Sequence, residues 1–590
     1  MLNPAQIHSK FEQAYHCHLQ GKIAQAQALY EEVLNLEPDH VDALHLSGVA
    51  AAQMNNHRKA VELIGKAIAL YPRNEAFHCN QGVAFNELKE FAAAAASFDK
   101  AVAIKPDYHE AHYQRGISLQ GLKMHEAAVA CYDRAIAIRP DYLEAYYRRG
   151  IALQELRKFD AAIASYDKAI TIKPDFAEAY ANRGNALQEL NRFDAAVESF
   201  DMAVTIKPDV ADTHYNRANA LKKLKRYESA LESYDRANAI RPDYPEAFHN
   251  LGLMRQELNQ LDAALACFDR ALSINPDYHD ARLHKSLALL LGGNFRQGWA
   301  LYESRRKVSR LADTRRNFTQ PLWTGNESIS GKTILLHSEQ GFGDSIQFCR
   351  YARSVADLGA RVILETEPPL TGLFKDLSGV SEVAAKGCDL PGFDYHCPLM
   401  SLPLAFRTDL NTIPCPRQYL RSDPDKLAYW NNRLGQKTAP RVGLVWSGNI
   451  THTNDSNRSI PLSAITRHLP ANVMYVSLQK EVRDIDKPSL ASDANILHFG
   501  DELVDFSDTA ALCDLMDLVI SVDTSVAHLN AALGNPTWVL LPFSPDWRWL
   551  LGRDDSPWYQ SVRLFRQEQP GNWDGVFKKL KPELINAYGK

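Results

Sequence analysis

The 590-residue chain lacks several things that would assign it quickly. No apolar run approaches the ~18 residues of a membrane span, so none is expected. The opening MLNPAQIHSKFEQAYHC has no basic stretch followed by an apolar core, so no secretory signal is expected either. Basic excess is missing: 66 Lys and Arg stand against 71 Asp and Glu, giving net charge −5 and a pI near 6.5. That argues against a nucleic-acid partner, which requires a basic face. The nine cysteines form no CxxC pair. Cys388, Cys397 and Cys415 lie close in sequence without the paired spacing of a zinc site. Reduced thiols in a cytoplasm are the expectation. No Asp-x-Asp motif occurs in a context that suggests a metal-bound nucleotide.

What is present is a period. Pro recurs at 38, 72, 106, 140, 174, 208, 242 and 276, always 34 apart. Ala recurs at the same interval from 26 to 264, and Gly at 48, 82, 116, 150, 184 and 252, with Ala218 in the gap. Small residues let two antiparallel helices cross closely, and Pro ends the second helix. Each helix pair leaves an apolar face that its neighbour must bury. The pattern resembles the tetratricopeptide repeat. It predicts about eight repeats plus a degenerate ninth, an α-solenoid over 1–306. Two residues before the repeat Gly stand Asn80, Gln114, Asn182, Asn216 and Asn250, interrupted by Leu46 and Arg148. On the concave face, such amides can bond both N–H and C=O of an extended peptide. The ladder is similar to that of nucleocytoplasmic O-GlcNAc transferases, which join such repeats to a glycosyltransferase.

The period stops in a turn-rich linker, 307–332. Two α/β regions are expected beyond it, at 333–435 and 436–590. Strands are predicted at 333–339, 361–367, 380–384, 441–446, 474–479, 496–500, 518–522 and 538–541, with a loop-rich stretch over 389–440. DLVISVDTSVAHLNAALGNPTWVLLP (517–542) reads as strand, helix, strand. Thr524 or Ser525 can cap the helix, whose N-terminus would face an anion, usually phosphate. His528 sits one turn in, either touching that anion or as a structural histidine. Asp523 suits a cap or a ribose contact.

GFGD at 341–344, together with SVDTSVAHLNAALGNPTWVLLP, resembles heptosyltransferase-type (family 9-like) GT-B glycosyltransferases. The combination with the repeats looks like bacterial repeat–glycosyltransferase fusions. The resemblance implies two Rossmann-like halves: an acceptor-side half, then a nucleotide-sugar half. It assigns Asp344 as general base, taking the proton from the attacking hydroxyl. Read from the residues alone, Asp344 is also a good helix cap. Gly341 and Gly343 allow a sharp turn and a close ligand approach. Glu339 and Gln340 stand at the strand tip, placed to orient the acceptor. For the donor, Ser447 and Asn449 follow a strand, Arg458 is the strong cation nearby, and Gln479 ends the next strand. Asp523, Thr524, Ser525 and His528 complete that set. Asp508, Thr509, His452, Asn454 and the tryptophans of PDWRWL (544–549) are weaker candidates.

The expectation is a cytoplasmic, metal-independent glycosyltransferase with no cofactor beyond its nucleotide-sugar co-substrate. Inversion follows from the resemblance alone. The acceptor is expected on a polypeptide in the repeat groove. The alternatives are a glycan or lipid-linked acceptor with repeats that recruit partner proteins, and an inactive binding scaffold. Homo-oligomerisation through the repeats is left open.

Overall fold

The computed structural model describes residues 4–308, 316, 318–493 and 495–588. Part of the expected linker, 309–315 and 317, lies outside these residues. The chain forms two compact units, Met1–Pro242 and Asp243–Lys590.

In the first unit, fourteen helices among the described residues pair into hairpins, from Pro4–Leu19 to Tyr227–Ile240. Second helices end two residues before each repeat Pro, for example Phe159–Ile172 before Pro174. The repeat Ala is fully buried at 26, 60, 94, 128, 162, 196 and 230. The repeat Gly makes room for a specific ring. A Cβ on Gly82, Gly116, Gly150 or Gly184 would lie 2.5–2.7 Å from Phe98, Tyr132, Tyr166 or Phe200, sixteen residues on. All four rings are fully buried, and each burial is worth about 1.5–3 kcal/mol.

A polar ladder with the same period sets the stacking register. Arg149 donates to Asp133 at 2.6 Å and to Ser165 at 2.7 Å. Arg183 and Arg217 repeat this with Asp167 and Ser199, and with Asp201 and Ser233. These guanidinium groups are about a quarter exposed, so each pair contributes at most ~1 kcal/mol. The turn inside each hairpin holds one left-handed residue: Gly21, Asn55, Lys89, Lys123, Arg157, Asn191 and Lys225 in this unit.

The second unit begins with four more repeat helices, Pro245–Glu257, Leu261–Ile274, His279–Leu291 and Phe295–Tyr302. Two parallel sheets follow. The first contains β1 (Thr333–His337), β2 (Arg361–Thr366), β3 (Glu382–Ala385) and β4 (Tyr395–Pro398), in the order β3-β2-β1-β4. The second contains β5 (Arg441–Val445), β6 (Met474–Ser477), β7 (Ile496–His498), β8 (Leu518–Val522), β9 (Thr537–Leu541) and β10 (Val562–Arg566). Its order, β10-β9-β8-β5-β6-β7, is that of a doubly wound sheet. The strand direction reverses its progression between β5 and β8, and in the first sheet between β1 and β4. Such switch points open a crevice above the strand tips.

The structure redraws several expected boundaries. The repeat helices of 243–302 belong to the second unit, because Leu290, Phe295, Trp299 and Tyr302 share one core with Ile334, Leu336, Phe348, Trp547 and Trp558. Within 389–440, read as loop, lie β4 and the helix Pro424–Leu434. A four-residue strand ending in Pro carries too little pattern to show. The helix associates with the second sheet, since Trp430 donates to Asp508 at 3.2 Å and Arg433 pairs with Glu502 at 2.8 Å. The strand β10 was also unread.

Substituting Gly184 tests the ring-in-gap packing. Helix propensity alone favours Ala by about 1 kcal/mol. Phe200 is fully enclosed and cannot move aside, and overpacking costs about 1–3 kcal/mol. Gly184→Ala is expected to lower stability by ~1–2 kcal/mol in urea unfolding followed by circular dichroism; a gain would refute this account.

Candidate functional site

The strand tips at the β5/β8 switch point gather most of the residues singled out in the sequence. Beyond β5 the chain turns through Ser447, Gly448 and Asn449. Gly448 lets the Arg458 guanidinium lie directly on the loop backbone, where a Cβ would push it aside. Arg458 Nη1 donates to the Asp523 carbonyl at 2.8 Å and so ties the β5 loop to the tip of β8. Its Nε makes no hydrogen bond among the described residues and faces the Asp455 carboxylate at 3.8 Å. Arg483 holds the same loop through the Gly448 carbonyl at 2.8 Å and Asp455 at 2.6 Å.

Beyond β8, Asp523 and Thr524 lead into the helix Ser525–Ala532. Thr524 is its N-cap residue, yet no side chain caps the helix; the Thr524 hydroxyl lies 3.1 Å from Ser521 Oγ instead. The expected hydroxyl cap is therefore absent, and half-buried Asp523, Thr524 and Ser525 border the open helix end. His528 is 5% exposed. Its Nδ1 bonds the Tyr559 hydroxyl at 2.9 Å, and its ring stacks on Trp549 at 5.2 Å. Burial, then Arg548 and Arg350, hold its pKa well below the usual histidine value. It is a neutral wall of the crevice.

Asp344 approaches from the first sheet. It follows β1 on the helix Phe342–Phe348. One carboxylate oxygen accepts the Gly341 N–H at 2.9 Å, and glycine has no side chain to return the bond, so only half of a capping box forms. The other pairs with Arg548, which also donates to Gln347 at 2.7 Å and to Asp546 at 2.8 Å. Gly343 lets this helix meet the other one: a Cβ would sit 3.1 Å from His528 and 3.6 Å from the Ser525 Cα. The close approach that Gly343 permits is thus to protein. Burial raises the Asp344 pKa against the opposing pull of Arg548. Burial, then Asp546, push Asp523 up to about 6. His452 is held low by burial and by Arg458.

Other expected residues are committed elsewhere. Ser447 and Gln479 are 5% and 8% exposed and bond each other, Ser447 N–H to Gln479 Oε1 at 3.2 Å and Gln479 Nε2 to Ser447 Oγ at 3.1 Å. Asn449 accepts from the Thr451 N–H at 3.0 Å in a local turn. Glu339 pairs with Arg305 at 2.7 Å. Gln340 remains half-buried at the β1 tip. Asp508 caps its helix and takes Lys426 at 2.8 Å. Trp547 and Trp549 are buried in the core and do not stack a base. Among the described residues, no three His, Cys, Asp or Glu side chains group as metal ligands. Sequence reading missed Arg548 as partner of Asp344, and with it Asp546 and Tyr559. The one signal was an Arg set between two tryptophans, since a cation needs a carboxylate if it is to be buried.

On the repeat helices, Asn80, Gln114, Asn182 and Asn216 are half-buried in the first unit, as is Asn250 in the second. Asn80, Asn182 and Asn216 each bond the preceding hairpin through Nδ2, to His45, Tyr147 and Asn185 at 2.9–3.0 Å. Their side-chain Oδ1 atoms accept no hydrogen bond among the described residues.

Comparisons with known proteins agree with the repeat half. Models described as tetratricopeptide or TPR repeats match residues 45–109, 124–157, 156–191, 177–210 and 217–288. The N-terminal half is a tetratricopeptide-repeat array. Protein FlbA of Caulobacter vibrioides is 27% identical over 325 residues, covering 51% of this chain and 54% of that protein. The chain thus spans about half the length of this curated relative. Among solved structures, YrrB, "a TPR protein with an unusual peptide-binding site", is 24% identical with TM-score 0.30, covering 32% of this chain and 98% of that one. The C-terminal part of a TPR protein from Cytophaga hutchinsonii is 16% identical with TM-score 0.36, covering 40% and 96%.

The Asp344–Arg548 pair is the contact to break. Arg548 is 10% exposed at its side chain, and removing one partner of a buried pair costs about 3–5 kcal/mol. Arg548→Gln is expected to lose that much in guanidinium unfolding. Adding Asp344→Asn should recover part of the loss, because the uncompensated carboxylate is gone. A double variant as unstable as the sum of the singles would exclude direct coupling.

Proposed function

We propose that the chain is a GT-B-type glycosyltransferase, transferring a sugar from a nucleoside-diphosphate donor to a hydroxyl on a polypeptide held by the repeats. The observation that carries this reading is the convergence at the β5/β8 switch point. There Arg458, which ties the β5 loop to the Asp523 carbonyl, and the uncapped start of the helix Ser525–Ala532 come together, and the helix that carries Asp344 meets that start at Gly343. The amide ladder of the first unit, where the side-chain oxygens of Asn80, Asn182 and Asn216 accept no hydrogen bond among the described residues, supports the peptide acceptor.

In this reading Asp344 accepts the acceptor's proton as the hydroxyl oxygen bonds to the sugar's anomeric carbon. The bond from that carbon to the phosphate oxygen breaks, and the nucleoside diphosphate leaves with the electron pair. Burial that raises the Asp344 pKa makes it a stronger base. Arg458 and the helix N–H groups meet the growing charge on the leaving phosphate; losing one such donor typically costs about 10²–10³ in rate. Arg548 fixes the carboxylate in place. Neutral His528 closes the crevice floor. Inversion accords with a single displacement but rests on the family resemblance. No metal enters these steps.

Nucleotide release from ADP-, GDP-, UDP- and dTDP-sugars, with cell lysate as acceptor source, tests the proposal. Release from one donor is expected, reduced at least ~10²-fold in Asp344→Ala. Neither binding nor release of any donor would favour a binding scaffold.

Charge linkage gives a second test. Asp523 titrates near 6 in the free protein, raised by burial and Asp546. A bound diphosphate raises it further, so binding takes up a proton. Nucleoside-diphosphate affinity is therefore expected to fall as pH rises from about 5 to 7. Calorimetry on Asp523→Asn should show a flatter profile; an unchanged slope would remove Asp523 from the phosphate site.

A further inference from the structure

A second cavity, of about 410 Å³, opens at the β1/β4 switch point of the first sheet. His337 and Pro398 close the two strands, and His396 lies on β4 beside them. Arg306 and Lys307, from the turn after the last repeat helix, form another wall, with Arg316 opposite.

The charges in this cavity are unequally spent. Its two carboxylates, Glu303 and Glu339, are both bound by buried Arg305, at 2.6 and 2.7 Å. Glu303 also accepts from Ser401 at 2.8 Å. Arg316 pairs with Glu365, a fully buried residue on β2, at 2.5 Å. Arg306 and Lys307 have no ion-pair partner among the described residues, so the cavity holds two uncompensated cations.

Its floor is polar and incompletely bonded. The His337 and His396 side chains are 3% and 5% exposed and meet at 3.2 Å, Nε2 to Nδ1. Burial, followed for His337 by His396 and Arg316, and for His396 by Arg306, lowers both pKa values. Both rings are neutral, each with one N–H and one lone pair. His337 Nδ1 is buried and makes no hydrogen bond among the described residues. A neutral imidazole pair suits hydroxyl groups, and the two free cations suit an anion.

We propose that this cavity is a binding site for an anionic group, phosphate or carboxylate, which is either free or carried on a hydroxyl-rich molecule such as a sugar phosphate. Arg306 and Lys307 hold the anion, and His337 and His396 bond the adjoining hydroxyls. The site goes beyond the transferase reading, since none of its cations belongs to the proposed donor cradle. A ligand there would touch Glu339, five residues before Asp344 in the chain.

The test uses the full chain and calorimetry with inorganic phosphate and glucose 6-phosphate, against sodium chloride at matched ionic strength. Saturable binding is expected, weakened at least about tenfold in the Arg306→Gln/Lys307→Gln double variant. Arg306 is half-buried and Lys307 exposed, so the variant should fold; its unfolding midpoint is checked alongside. Tighter binding of the sugar phosphate, with the difference lost in His396→Phe, identifies a hydroxylated ligand. Equal affinities identify free phosphate as the source. Binding no stronger than the chloride control, or unchanged in the double variant, overturns the proposal. Donor turnover is measured separately, so failure of this site and failure of the transferase reading are distinguishable.

Discussion

Burial of one aromatic group, centred on Trp299, organises the second unit. Its indole is 1% exposed and meets Phe295, Tyr302, Phe348, Trp547 and Trp558 at 5.2–6.4 Å. These rings come from the last repeat hairpin, from the helix that carries Asp344 and from the segment that carries Arg548. Aromatic burial gains most from area and asks for definite ring geometry, so the three segments are fixed together. The Asp344–Arg548 pair lies one or a few residues from these rings on both sides, and its placement follows from that packing.

The same packing explains why the last repeats divide from the first in the compact-unit boundary. A tetratricopeptide hairpin cannot bury its own apolar face. In the first unit the next hairpin covers it. At the end of the array, Leu290, Leu291 and Trp299 are covered by α/β residues instead. Arg305, at the end of this hairpin, then spends its donors on Glu303, Glu339 and Ser401. The loop at the tip of β1 is thereby anchored to the repeat helices of its own unit.

Two switch points, one per sheet, give the second unit two crevices with different chemistry. At β5/β8 the cations are drawn inward: Arg458 spans two loops and Arg548 is matched by Asp344 and Asp546. This arrangement favours a ligand whose charge is partly neutralised on binding, as proposed for a diphosphate. At β1/β4 the carboxylates are already neutralised by Arg305, which leaves Arg306 and Lys307 unmatched among the described residues. Net charge over the whole chain hides this contrast, because it sums the matched pairs of one crevice with the local excess of the other.

Periodic features were legible in the sequence because each repeat states them independently. The 34-residue spacing of Pro, Ala and Gly specifies helix ends, buried small contacts and ring gaps without any long-range information. Strands β1, β2, β5, β6, β7, β8 and β9 were readable as apolar runs between turn residues, whereas four-residue β4, with its terminal Pro, was not. Asp344, Arg458 and Asp523 could be singled out, since strand tips are where ligands meet parallel sheets. Their partners could not. Asp344 and Arg548 are 204 residues apart, and Gly343 faces His528 across two halves of the unit. Ser447, Gln479 and Glu339 carry the right chemistry at the right tips, yet tertiary hydrogen bonds had already claimed them. Local propensity and spacing decide which elements form; which polar groups remain free for a ligand is decided only when packing has satisfied the rest.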